Sequence, residues 1–211
     1  MSTQQAGAAG AVKILLATHS AGKVAELKEL LEPLLPGITV LSAADVNFAE
    51  PVEDAVTFEG NALIKARAAA AATGLISVAD DSGLVVDVLG HAPGVFSARW
   101  SGHHGDDVAN YQLLLAQLSD VPDAYRTARF FCSAVVVTPD GREATAGGEM
   151  RGKLLRQPRG TNGFGYDPIF QPEGETRSSA ELTAEEKDAI SHRGKAFRAL
   201  APEIVRLVAE G

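Results

Sequence analysis

The chain has 211 residues, of which 45% are hydrophobic, and a formal net charge of −8 at pH 7. That length and hydrophobic content suffice to bury a sizeable core, either as one large domain or as two lobes that share a sheet. The negative charge argues against non-specific binding to DNA, RNA or an anionic membrane, so an anionic ligand must meet a local basic cluster or a metal.

Cys132 is the single cysteine and lies in an apolar run, which excludes an internal disulfide, indicates a buried core position and fits a reducing cytosol. Residues 1–10 are small and polar without a basic stretch, and the apolar run after them is too short for a signal peptide or a membrane span. We interpret residues 1–10 as a flexible leader and residues 11–211 as a single domain.

The first predicted unit is a strand, a short polar loop and a helix. Residues 12–17 are β-branched or leucine-rich, and residues 24–35 carry leucines at helical spacing. A helix N-terminus preceded by glycine and lysine is the layout of an anion site, although the spacing of a P-loop is absent. An ordinary strand-to-helix turn remains the alternative. The loop residues are Thr18, His19, Ser20, Ala21, Gly22 and Lys23.

A second strand, residues 38–41, leads into an acidic connection and then into a clear helix. Residues 42–56 include Glu50, Glu53 and Asp54, most of which we expect to be solvated. Residues 57–73 contain an alanine run, and Thr57 is a plausible N-cap. Lys65, midway along this helix, could reach a cleft beside the carboxylates described next, or could simply face solvent.

Two adjacent carboxylates interrupt an apolar region. Residues 76–79 and 84–88 are predicted as short buried strands, which puts Asp80, Asp81, Ser82 and Gly83 in a tight connection between them. Such carboxylates would be exposed but rigidly held, and their mutual repulsion suggests a hard cation such as Mg²⁺. A simple Asp-Ser-Gly turn is the alternative.

The segment GHHGDD, residues 102–107, is interpreted as a loop before a helix at residues 108–118. Asp106 or Asp107 would be the N-cap, and adjacent histidines lack the spacing of a zinc site. Residues 129–138 and 143–155 are predicted strands joined by a Pro-Asp-Gly turn. That hairpin signal predicts that part of the sheet is antiparallel.

The last predicted elements are an aromatic glycine-rich loop and two helices. In GTNGFGYDPIF, residues 160–170, an aromatic ring could stack on a planar base, or Phe164 and Tyr166 could pack inward in an Ω-loop. Helices are expected at residues 183–190 and 193–209, with Ser191 as the N-cap of the second. His192 and Arg193 would then project their hydrogen-bond donors from a helix start.

Together these motifs resemble the inosine triphosphate pyrophosphatases, which remove deaminated purine nucleoside triphosphates from the nucleotide pool. The resemblance extends from Ala17 to Gly194 and is carried by an ordered set of motifs: T-x-x-x-G-K at 18–23, TF-x-x-NA at 57–62 with Lys65, ADDSGL at 79–84, PG-x-x-SAR at 93–99, GFGYDPIF at 163–170 and EEK-x-AISHRG at 185–194. It implies an elongated α/β fold, in which two lobes flank a long mixed sheet with helices around it. The active site would lie in the cleft between the lobes of a cytoplasmic homodimer.

The resemblance also implies roles for individual residues. Asp81 would be the catalytic acid/base and a Mg²⁺ ligand, with Glu53 as the second ligand. The triphosphate would be held by the loop from Thr18 to Lys23 and by Lys65, and Ser82 would touch the substrate. The base and ribose pocket would consist of Phe164, Gly165, Tyr166, Asp167, Lys187, His192 and Arg193.

Two positions depart from that family's usual pattern. Thr18, His19 and Ser20 stand where the family loop usually reads TGN, and Gly60 stands where a glutamate usually precedes Asn61. We assign no metal role to Glu59 or Gly60.

The expected reaction is attack of water on the α-phosphorus of inosine, deoxyinosine or xanthosine triphosphate, leaving the monophosphate and pyrophosphate. Donors on His192 and Arg193 suit a 6-oxo group and disfavour adenine. Two alternatives are a pyrophosphatase for aberrant pyrimidine nucleotides, which would lack this base pocket, and a nucleotide sensor without catalysis, which would not need the carboxylates.

Overall fold

The structure is a computed structural model that describes residues 12–46 and 48–211. The predicted leader, residues 1–10, lies outside the described residues. Within the described part, the strands are β1 (Lys13–Leu16), β2 (Thr39–Ser42), β3 (Ile76–Val86), β4 (Thr127–Val137), β5 (Glu143–Leu154) and β6 (Phe170–Pro172), and the α-helices are α1 (Ala21–Leu31), α2 (Phe58–Thr73), α3 (Asp107–Gln117), α4 (Ala184–Ile190) and α5 (His192–Ala209).

The strands form one mixed sheet in the order β2-β1-β3-β4-β5-β6. β1 is parallel to both β2 and β3, whereas the pairs β3–β4, β4–β5 and β5–β6 are antiparallel. The parallel end arises because helices α1 and α2 make the crossovers, and the antiparallel end arises from the predicted Pro-Asp-Gly hairpin between β4 and β5. The predicted α/β class with a long mixed sheet is confirmed.

β3 differs from the sequence prediction in a way that matters for the site. It is one continuous strand, so the predicted tight turn at residues 80–83 is wrong. Asp80 pairs with Ala134 and Asp81 with Ser133 in the antiparallel register with β4. The backbone groups that would form a local turn instead make hydrogen bonds with β4. This long-range pairing overrides the turn preference of Asp, Ser and Gly.

In the part of the chain that the structure describes, the apolar core has three clusters, and the long strands β3 and β4 contribute to all of them. One cluster joins α1 and α5 to one face of the sheet, and a second packs the alanines of α2 against the opposite face. The third lies toward the other end of β3 and β4, where α3, β5 and the start of β6 meet. The first two clusters lie on the two faces of one end of β3 and β4, and the third lies at the other end. The molecule therefore has two lobes that share these strands, as predicted.

Side-chain caps set where the helices begin. Ser20 accepts a hydrogen bond from the Lys23 backbone N–H, so α1 starts earlier than predicted and includes Gly22 and Lys23 in its first turn. Thr57 caps α2 and Ser191 caps α5, as predicted. Across the described residues, none of the helices combines the length and apolar character needed to cross a bilayer.

Candidate active site

A cavity of about 240 Å³ lies over the middle of β3, between the two lobes. Its wall comes from β3, from the first turns of α1, α3 and α5, from α2 and α4, and from the glycine-rich loop. The lining includes Lys23, Lys65, Asp80, Asp81, Ser82, Ser97, Asp107, Phe130, Phe164, Gly165, Tyr166, Asp167, Lys187, His192 and Arg193. Eleven of the predicted site residues are thus brought together.

A second cavity of about 220 Å³ adjoins the first, because Lys65 lines both. Thr18, His19 and Glu53 line this second cavity. His19 Nε2 lies 2.7 Å from Glu50 Oε1, which ties the first loop to the acidic connection. The remaining residues of the predicted anion loop, Ser20, Ala21 and Gly22, are exposed and line neither cavity.

The two adjacent aspartates lie on opposite faces of β3, because side chains alternate along a strand. Asp80 faces α1 and α5 and is buried. Both of its oxygens lie 2.9 Å from Lys23 Nζ, and Oδ2 lies 3.3 Å from Arg193 Nε. Burial opposes ionisation of Asp80, but Lys23 and Arg193 outweigh it and lower the pKa of this carboxyl. The expectation that both carboxylates are exposed is therefore wrong for Asp80.

Asp81 faces α2 and has a different environment. Its Oδ2 accepts a hydrogen bond of 3.1 Å from Asn61 Nδ2, and its Oδ1 accepts one of 2.9 Å from the Ser82 backbone N–H. Burial raises the pKa of Asp81 and nearby Glu53 raises it further, whereas Lys65 and Asn61 oppose this shift. Asp81 is thus the more basic of the two carboxylates, which suits a group that accepts a proton.

Asn61 is a site residue that reasoning from the sequence did not single out. It is buried, and its side chain also accepts a 3.0 Å hydrogen bond from the Ala55 backbone N–H. It therefore connects Asp81 to the acidic segment that carries Glu53. The sequence marks Asn61 through its place in the TF-x-x-NA motif. Its hydrogen-bond partners, Asp81 and the Ala55 N–H, depend on the tertiary structure.

The carboxylates of Glu53 and Asp81 lie close enough that Glu53 raises the pKa of Asp81. Glu53 Oε2 lies 3.1 Å from Lys65 Nζ. Among the residues that the structure describes, there is no group of three or more metal-ligating side chains. Position 60, in the first turn of α2, does not supply a further carboxylate ligand. It is a glycine, and a Cβ there would lie 2.6 Å from the Ala55 side chain. Two carboxylates fit Mg²⁺, which keeps several waters and takes its other ligands from substrate phosphates.

The other end of the cavity has an aromatic and cationic wall. Phe164 is 65% exposed, whereas Tyr166 is buried and its hydroxyl donates a 2.8 Å hydrogen bond to the Ser97 carbonyl. Lys187 forms an ion pair with buried Asp167, and its Nζ lies 4.7 Å from the centre of the Phe164 ring. Of the two interpretations of this loop, inward packing holds for Tyr166, and Phe164 presents its ring to the cavity.

His192 is a neutral group at this wall. Its ring stacks on Phe130 with centroids 5.2 Å apart. Burial, followed by the charges of Arg193 and Lys187, lowers the pKa of His192 to about 3. Its Nδ1 is buried and has no hydrogen-bond partner among the described residues. His192 lines the cavity, and a neutral imidazole has one donor and one acceptor nitrogen for hydrogen bonds with a ligand.

The protein has a mixed sheet and a cleft between two lobes. Carboxylates and lysines lie at one end of the cleft, and an aromatic wall lies at the other. This arrangement is typical of an α/β protein of the nucleotide-hydrolase class. The chain belongs to the Ham1 family, whose sequence model matches residues 14–203.

Curated relatives and solved structures agree with this assignment. The chain is 58% identical to a dITP/XTP pyrophosphatase of Streptomyces avermitilis over 199 residues, which cover 93% of this chain and 98% of the relative. It is 55% identical to a protein of the same name from Corynebacterium efficiens, covering 94% and 100% of the two chains.

The crystal structure of a nucleoside-triphosphatase / dITP/XTP pyrophosphatase from Mycobacterium abscessus is similar, with 55% identity and a TM-score of 0.78 over 90% of this chain and all of that one. A HAM1 protein from Coxiella burnetii gives a TM-score of 0.83 at 39% identity, covering 95% and 100% of the two chains.

Proposed function

We propose that this protein hydrolyses deaminated purine nucleoside triphosphates, such as those of inosine, deoxyinosine and xanthosine, to the monophosphate and pyrophosphate. The observation that carries the proposal is a single cavity in which Asp81 and Lys65 stand at one end and Phe164 and His192 at the other. A purine nucleotide has the matching polarity, with a planar base at one end and phosphates at the other. The names of the relatives at 55–58% identity support the same substrates.

Asp81 is the proposed general base. Asn61 and the Ser82 N–H hold its carboxylate in one orientation, in which it can accept a proton from a water bound beside it. A water held by Asp81 would attack the α-phosphorus, and its proton would pass to the carboxylate. Lys65, together with the lysine of α1, supplies positive charge for the phosphate chain as pyrophosphate leaves.

We propose Mg²⁺ as the cofactor, with Asp81 and Glu53 as its protein ligands. When bound, the ion would neutralise phosphate charge and acidify a coordinated water. Lys65, paired with Glu53 at 3.1 Å, would turn toward the phosphates as the substrate enters.

Base selection would rest on hydrogen-bond polarity. Arg193 donates, and neutral His192 offers one donor and one acceptor nitrogen, so together they suit a 6-oxo purine. Adenine would place an amino donor against the Arg193 donors, at a cost of about 1 to 3 kcal/mol for each group left unpaired. The ring of Phe164 would stack on the base.

A panel of nucleoside triphosphates tests the proposal. We expect inosine, deoxyinosine and xanthosine triphosphates to be cleaved with kcat/KM values about 100-fold or more above that of adenosine triphosphate, in a reaction that Mg²⁺ supports and a chelator abolishes. Pyrophosphate should be the primary product. Primary release of orthophosphate, or equal use of adenosine triphosphate, would contradict the proposal.

The resemblance to the inosine triphosphate pyrophosphatases supports two further proposals, that the protein is a homodimer and that it acts in the cytoplasm. A dimer mass in light scattering at micromolar concentration would support the first, and a monomer mass would contradict it. Fractionation of the native host would test the second.

A further inference from the structure

The two aspartates at the end of the GHHGDD segment, Asp106 and Asp107, form different hydrogen bonds. Asp106 is the N-cap of α3, and its Oδ1 accepts a 3.0 Å hydrogen bond from the Ala109 backbone N–H. Asp107, the first helical residue, turns toward the cavity and is part of its wall. Its Oδ2 accepts a 2.7 Å hydrogen bond from the backbone N–H of Gly165, 58 positions along the chain. Helix capping therefore does not account for the Asp107 side chain.

That hydrogen bond completes a pair around Phe164. The Phe164 backbone N–H donates a 2.9 Å hydrogen bond to Asp167 Oδ2, and the next amide, that of Gly165, donates to Asp107. Both amides that flank the Phe164 α-carbon are thus held by carboxylates. Fixing both peptide planes fixes the direction of the Cα–Cβ bond, and this direction decides where the exposed ring lies.

The loop around Phe164 needs such a restraint. Gly163 and Gly165 both have positive φ, at 75° and 61°, in the region that glycine adopts freely. Glycines on both sides leave the Phe164 backbone able to reorient, and the ring itself is largely exposed and so gains little from packing. The rest of the loop has separate anchors in buried Tyr166 and in Asn162, which bonds to the Ala180 and Leu182 carbonyls.

We propose that Asp107 is a positioning residue for base recognition, which holds the Phe164 ring in the orientation that stacks on the purine. The inference rests on the proposed function, because it assumes a planar base at this wall. Asp107 acts through the Gly165 amide and not through contact with the reacting phosphates. Its removal leaves the Tyr166 and Asn162 anchors in place, so the loop stays folded while the ring loses its fixed direction.

A double-mutant cycle with Asp107→Ala and Phe164→Ala tests this coupling. Phe164→Ala should lower kcat/KM for inosine triphosphate by about 5- to 150-fold, the range for loss of one aromatic stacking partner. Asp107→Ala should cause a loss of about 5-fold or more, mainly through KM, with kcat within about threefold of the parent value. In the Phe164→Ala background, the same Asp107 change should cost less than about twofold, because the ring that it orients is gone.

Two control variants separate positioning from folding. Asp107→Asn keeps an oxygen that can accept from the Gly165 N–H and should restore most of the kcat/KM lost in Asp107→Ala. Asp106→Ala removes the cap of the same helix and should lower the melting temperature without a selective rise in KM. As a probe without a base, inorganic tripolyphosphate should inhibit the parent and Asp107→Ala with the same inhibition constant, within about twofold.

The outcomes are distinct. Multiplicative losses in the double variant, failure of Asp107→Asn to restore activity, or equally weakened tripolyphosphate inhibition would each overturn the positioning role. Failure of the unsubstituted protein to cleave inosine triphosphate would instead overturn the proposed function, whatever the variants do.

Discussion

Asp80→Asn should mainly lower stability and Asp81→Asn should mainly lower turnover, although the two residues are adjacent in the chain. The Asp80 side chain is only 3% exposed, and its carboxylate contacts both Lys23 and Arg193. Substitution by asparagine leaves these two cations against a neutral amide. Breaking a buried ion pair costs about 3 to 5 kcal/mol, and we expect the lower value because both cations still reach solvent.

For Asp81 the same substitution removes a charge that burial disfavours. Asparagine has one acceptor oxygen for two donors, the Asn61 side chain and the Ser82 N–H, so one of these hydrogen bonds is lost, and relief of the buried charge offsets that loss. We expect the free energy of unfolding to change by less than about 1 kcal/mol. Because the proposed general base and metal ligand is lost, kcat should fall by about 100-fold or more.

The assay combines thermal unfolding with turnover of inosine triphosphate at saturating Mg²⁺. A loss of about 3 kcal/mol in Asp80→Asn corresponds to a fall of about 6 to 12 °C in Tm for a chain of this size. Asp81→Asn should melt within a few degrees of the parent and have the lower kcat of the two variants. Near-normal turnover in Asp81→Asn, or an Asp80→Asn protein as stable as the parent, would refute the reasoning.

Three further predictions concern base selection, pH and the core. Arg193→Ala should reduce the ratio of kcat/KM for inosine over adenosine triphosphate by about tenfold or more, the loss of one charged hydrogen bond, whereas an unchanged ratio would mean that the base is recognised elsewhere. His192 has a pKa lowered to about 3 in the folded state against 6.5 ordinarily, so the unfolded state binds the extra proton between these values. The free energy of unfolding should therefore fall as the pH falls below about 6.5, by at most about 1.4 kcal/mol per pH unit. Denaturant unfolding of His192→Gln should show a smaller dependence of this free energy on pH. The same dependence in both proteins would contradict the prediction. Arg126 is buried and donates to three backbone carbonyls, so Arg126→Met should lower the free energy of unfolding by about 3 kcal/mol, and a loss below about 1 kcal/mol would contradict this role.

Local signals in the sequence predicted much of the fold. The caps Thr57 and Ser191, the Pro-Asp-Gly hairpin and the strand–loop–helix start all depend on neighbouring residues, and the structure has each of them. The ordered motifs also placed most of the candidate site, since eleven of the predicted residues line one cavity.

The remaining features depend on distant pairing, which local patterns do not encode. β3 is continuous because β4 pairs with it from Ser77 to Val86, and a continuous strand puts Asp80 and Asp81 on opposite faces. Their different environments, with two cations for one and Asn61 for the other, follow from which helix covers each face. The contact between Asp107 and Gly165 likewise joins segments far apart in the chain. In the sequence, Asp107 is indistinguishable from a helix cap.

Hydrolysis of inosine triphosphate in water labelled with a heavy oxygen isotope tests the central claim most directly. If water held by Asp81 attacks the α-phosphorus, mass spectrometry should find the label in inosine monophosphate and none in pyrophosphate. Label in pyrophosphate would show attack on the β-phosphorus, and label in orthophosphate would show attack on the terminal phosphorus. Either result would contradict the account.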